Sequence, residues 1–160
     1  MAIVEGVIAG IIGAASVALW FLMVDSIAGR PFFTPAILGA SLFDLLGGGF
    51  GGRGLATHVA AYTVIHFAAF IVIGIAAAKA MNVLDRRPSL LIGFVALFLV
   101  FELCVIGAVA LLSRSPLFGT IAWYQLGAAN LLAAYFMGRY LWRAHHPAAD
   151  ERWVRALESR

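Results

Sequence analysis

Between Leu90 and Ser113 the chain reads LLIGFVALFLVFELCVIGAVALLS, with one acidic residue, Glu102, near its middle. A helix of this length is about 36 Å long at roughly 1.5 Å per residue, enough to cross a hydrocarbon core of about 30 Å. The stretch therefore reads as a membrane span. A carboxyl group at the centre of a span costs about 3 kcal/mol on insertion scales, so Glu102 is expected to face protein, water or a partner and not lipid. The other spans must be arranged around it.

Three more apolar segments are long enough to cross: Ile3 to Ala28, Thr57 to Met81 and Thr120 to Trp142. Only 12% of the 160 residues are charged and 63% are hydrophobic, whereas an ordinary soluble domain is about 25% charged. That balance excludes a soluble reading. The expected fold is an all-α integral membrane protein, four transmembrane helices in an antiparallel bundle over residues 1–143, followed by a short tail, 144–160. The polar stretches leave no room for a soluble domain of catalytic size. The lone cysteine, Cys104, lies in the third span and can form no intrachain disulfide.

A net charge of +3 invites a nucleic-acid reading, so the basic residues must first be located. With four spans, Lys79, Arg86, Arg87, Arg139, Arg143, Arg152, Arg155 and Arg160 share one side, and only Arg30, Arg53 and Arg114 lie on the other. The positive-inside rule then predicts cytoplasmic termini in the cell membrane. The excess charge is a topology signal, and no basic surface interleaved with aromatic residues for nucleic acid is seen.

Met1 to Ala28 resembles a secretory signal only at first sight. Its early charge is Glu5, not a basic cluster, and its apolar run exceeds the 7–15 residues or so of a signal core. We expect it to be retained. Gly6, Gly10 and Gly13 form a GxxxG extended by another glycine, which admits a neighbouring helix closely. Packing within the chain is the plainer use of this seam, and a homodimer contact the alternative. Asp25, near the outer interface, has Arg30 close enough in sequence to neutralise it.

The connection Gly29 to Ala56 contains Thr34-Pro35, an N-cap residue followed by proline at the first helical position. A short interfacial helix over about 35–46 is predicted between the first two spans, ended by the glycine run from Gly47. That run has no preceding strand and no Lys-Ser/Thr, so it reads as a linker and not as a phosphate loop.

In the second span His58, Tyr62 and His66 recur at intervals of four and share one helical face. Counted from the outer ends of the spans, His66, Glu102 and Asn130 lie roughly 14, 16 and 15 Å deep, and Tyr62 and Gln125 about 7 Å deep. These five form the expected intramembrane polar cluster, with Asp25 and His58 at the outer interface. Hydrogen bonding between helices is the plainer role for the cluster, worth about 0.6–2 kcal/mol per bond. Proton transfer is the sharper one, but no ionisable group continues the path through the inner half before Lys79.

Haem ligation by two histidines needs them to face each other across helices. His58 and His66 lie about 12 Å apart along one helix, and His145 and His146 belong to the far end of the chain. No zinc-protease motif and no Ser or Cys nucleophile signature appears. The sequence thus predicts a small non-enzymatic membrane protein without a metal or cofactor, an accessory or structural subunit of a larger complex or a homo-oligomer. Its partners are then the lipid bilayer and other membrane subunits or itself. A transporter, channel or proton-conducting component using His66 and Glu102 is the second reading; a haem- or quinone-binding electron-transfer subunit is the third.

Overall fold

A computed structural model of the protein describes residues 2–45, 54–87 and 123–145, with positions 89, 92, 95 and 103 between them. Its described elements are four helices, α1 (Ala2–Ile27), α2 (Phe33–Leu45), α3 (Leu55–Arg86) and α4 (Trp123–His145). Among the described residues, α1 and α3 are long and apolar enough to cross a membrane. α4 has the length, but Gln125, Asn130 and Arg139 dilute its apolar character. Most of the third expected span, Glu102 and Cys104 included, the glycine run from Gly47 and the tail from His146 lie outside the described residues.

α1 is the hub. It shares its largest interface with α3 and a second with α4, while α3 and α4 scarcely touch. The cause is the stripe of small side chains buried along α1, Gly6, Ala9, Gly10, Gly13 and Ala14, which widens to Val17 and Phe21 towards its other end. A side-chain carbon at Gly6 would lie 2.5 Å from Ile75 Cα, one at Gly10 would lie 2.5 Å from Ile71 Cα, and one at Gly74 would lie 2.8 Å from Gly10 Cα. Backbone therefore meets backbone here, and only glycine fits. At Gly13 the neighbours are side chains, Phe70 and Met137.

These contacts set the directions of the helices. Gly6 faces Ile75, Gly10 faces Ile71 and Ala14 faces His66, so α1 and α3 run antiparallel. Gly13 meets Met137, and Trp20 meets Gln125, so α4 is antiparallel to α1 as well. α3 and α4 consequently point the same way. Two small cores fill the α1–α4 groove: Ala9, Ala78, Met137 and Leu141 at one end, Val17, Phe21, Ala129 and Ala133 at the other. Phe70 packs against both.

α1 ends in a Schellman turn, with Gly29 at φ 71° and the N–H groups of Gly29 and Arg30 donating to the carbonyls of Ser26 (3.0 Å) and Asp25 (2.8 Å). The chain turns again at Phe32, whose φ is 66°. Its carbonyl accepts the Ala36 N–H at 3.1 Å, opening α2. α2 thus starts at Phe33, before the expected position, and Thr34 lies inside its first turn. Gly39 sets α2 against the backbone of His58 at the start of α3.

α3 runs beyond the predicted stretch at both ends. At its far end Asn82 Nδ2 donates to the Ala78 carbonyl at 3.1 Å, and the Arg87 N–H closes the helix on Val83 and Leu84. α4 likewise passes Trp142 to His145, whose ring bonds the Leu141 carbonyl at 3.0 Å and Asn82 Oδ1 at 3.3 Å. That contact ties the matching ends of α3 and α4 together.

Candidate functional site

α1, α2 and the first half of α3 line a partly open cavity of about 170 Å³. Its wall is mostly apolar, with Phe21, Leu22, Phe32 and Phe67 among the lining side chains, and the polar groups on it come from Thr34, Tyr62, Thr63 and His66. α3 supplies three of these because residues 59, 62, 63, 66 and 67 fall on one stripe of a helix. The turn through Gly29 and Phe32 folds α2 back over that stripe and closes the site.

His66 is the most constrained of the polar groups. Its Nε2 lies 3.2 Å from the Ala14 carbonyl oxygen on α1. A carbonyl only accepts, so in the neutral ring Nε2 carries the proton and Nδ1 presents a lone pair. Phe70 and Phe67 flank the ring at 4.8 and 6.0 Å between centroids, and Tyr62 stacks on it at 5.4 Å. The Thr63 hydroxyl donates its hydrogen to the Val59 carbonyl at 2.7 Å. Thr34 is spent on Asp25: its N–H donates to Oδ2 at 2.7 Å and its hydroxyl to Oδ1 at 2.8 Å.

Asp25 therefore does not pair with Arg30, as its sequence distance suggested. It is 4% exposed and serves as the N-terminal cap of α2 from another helix. The Arg30 guanidinium instead covers the Phe33 ring at 3.9 Å. Thr34, expected to cap α2 with its own oxygen, is the residue being capped.

Of the remaining candidates, His58 packs against Phe43 at 5.5 Å between ring centroids. Gln125 accepts the Trp20 indole N–H at 3.1 Å, a bond between α4 and α1. Asn130 is half-buried on α4. Tyr62 and His66 thus stand together on α3, whereas Gln125 and Asn130 stand on a helix that scarcely touches it. The cluster expected of all five depends on Glu102, outside the described residues. Gly6, Gly10 and Gly13 lie on the packed face of α1, away from the cavity's lining.

The partners that sequence reasoning missed are Ala14, Trp20 and Thr34. An indole N–H inside an apolar run needs an acceptor, which was a usable signal for Trp20. Nothing local marked Ala14, since it contributes only a carbonyl. Among the described residues no three His, Cys, Asp or Glu side chains gather to hold a metal ion. Comparison with protein-family models, with curated proteins and with solved structures finds no match.

Proposed function

We propose that the chain is an integral membrane protein of four spans with both termini in the cytoplasm, acting without catalysis as an accessory or structural subunit of a larger complex or as a homo-oligomer. The observation that carries the four-span reading is the position of two helix ends. Arg86 and Trp123 lie at opposite ends of α1, because α3 and α4 both run against it. The chain between them must return the full length of the helices, and it contains the apolar run Leu90 to Ser113. A third span supplies that return.

The surface supports the same reading. Val4, Ile11, Leu19, Val64, Val72 and Ile73 are exposed along α1 and α3. An apolar face of this extent belongs against lipid or a neighbouring subunit. Mild-detergent extraction of the full chain followed by native mass spectrometry tests the proposal. Either a fixed stoichiometry with other membrane proteins or a discrete homo-oligomer is expected. A monomer at every concentration, with nothing co-purifying, overturns the subunit role.

A further inference from the structure

We infer that the cavity between α1, α2 and α3 binds one phenol-type ring, an uncharged six-membered aromatic ring bearing a hydroxyl group. Size sets the first limit. An apolar protein cavity of about 150 Å³ takes up benzene, so a volume of about 170 Å³ suits one such ring with a small substituent. The walls set the second, since five of the lining residues, Phe21, Phe32, Phe67, Tyr62 and His66, carry rings.

Hydrogen bonding sets the third. With the hydrogens of Nε2, Thr63 and Thr34 committed within the protein, two of the lining residues keep a polar atom with no hydrogen-bond partner among the described residues: His66 at Nδ1, which accepts, and Tyr62 at its hydroxyl. Neither atom is sealed off, since no side-chain N or O among the described residues is both buried and without a partner, so a ligand can reach them. One ligand hydroxyl meets both, donating to Nδ1 and accepting from Tyr62. A quinone carbonyl or an ether oxygen can serve Tyr62 but has no hydrogen for Nδ1. A charged ligand would find no counter-charge, because the Asp25 carboxyl is taken up by Thr34. The rim residues Ala18, Leu19 and Thr63 are exposed. A ring entering there can be a free small phenol or the head of a lipid-dissolved hydroquinone whose tail stays outside.

The test is fluorine NMR on the full chain in phosphatidylcholine nanodiscs, with 4-fluorophenol and its methyl ether 4-fluoroanisole as probes. Saturable binding of the phenol is expected, with the ether weaker by about tenfold for the loss of one donor in an apolar site. His66→Phe should weaken the phenol by about tenfold while leaving the ether unchanged, whereas Tyr62→Phe, which removes the donor that both oxygens use, should weaken both probes by about tenfold. Ala18→Phe, a change at an exposed rim position, should block both probes without disturbing the helices, and serves if His66→Phe fails to fold. Displacement by a prenylated hydroquinone would identify the lipid-dissolved source, and displacement by free phenols alone the soluble one. Equal affinity for phenol and ether, non-saturable uptake, or an unaltered affinity in folded His66→Phe overturns the inference. The site is independent of the subunit role: a monomer that binds the phenol refutes only the assembly, and an oligomer that does not refutes only the site.

Discussion

The Asp25 carboxyl group holds Thr34 with both of its oxygens, one on the backbone N–H at 2.7 Å and one on the hydroxyl at 2.8 Å, nine residues away and on the next helix. The first-turn N–H groups of a helix have no partner within it. Asp25 supplies one from the end of α1, after the Schellman turn has reversed the chain, and so fixes the angle at which α2 closes over the cavity.

Removing that cap should therefore loosen α2 and spare the α1–α3 seam. Asp25→Ala is expected to cost about 2–3 kcal/mol, and Thr34→Val, which keeps the backbone bond, about 1 kcal/mol. Hydrogen exchange should accelerate at the amides of the first turn of α2 in both variants, with α1 and α3 unchanged. Uniform acceleration over all helices would contradict a local role.

The seam itself should respond to bulk at particular glycines. Gly10→Val or Gly74→Val forces the backbones of α1 and α3 apart and is expected to destabilise by about 1–3 kcal/mol or more. At Gly138 a side-chain carbon would meet nothing within 4 Å, so Gly138→Ala should stabilise α4 by about 0.5–1 kcal/mol through backbone entropy. Denaturation midpoints in mixed micelles separate the two cases, and equal behaviour at Gly10 and Gly138 would refute the close approach.

A side-chain bond from Trp20 to Gln125 joins α1 to α4. A double-mutant cycle with Trp20→Phe and Gln125→Leu should return a coupling of about 0.6–1.7 kcal/mol, the range found for hydrogen bonds between membrane helices. A coupling of zero would mean that the bond does not form in the bilayer.

Topology gives a further expected outcome. Reporters fused after His145 should read cytoplasmic, and those inserted after Arg53, between α2 and α3, should read outside. Opposite signals at both positions would reverse the orientation; the same side at both would end the four-span reading.

Helicity, the small-residue face of α1 and the pairing of Tyr62 with His66 were legible in the sequence, because each follows from spacing along one helix. Gly6, Gly10 and Gly13 advertise close approach whatever partner fills it. Tyr62 and His66, four apart, must share a face. Helix ends were less legible, since α3 reaches Arg86 and α4 reaches His145 through capping and side-chain bonds that hydropathy does not register. Asp25 was misassigned for a related reason: Arg30 is nearer in sequence, but the Schellman turn sends its guanidinium to Phe33 and brings Thr34 to the carboxyl.

By itself the sequence determined that this chain is built of apolar helices and where glycine lets them meet. Hydropathy and period are properties of neighbouring residues and need no fold to be read. Only the tertiary structure decided that α1 is the hub, that α3 and α4 run in the same direction, and that α2 closes a cavity on His66 and Tyr62. Those outcomes depend on which glycine meets which backbone, and on a carbonyl at Ala14 that any residue would have supplied. A contact made by the main chain leaves no mark in the residue that makes it.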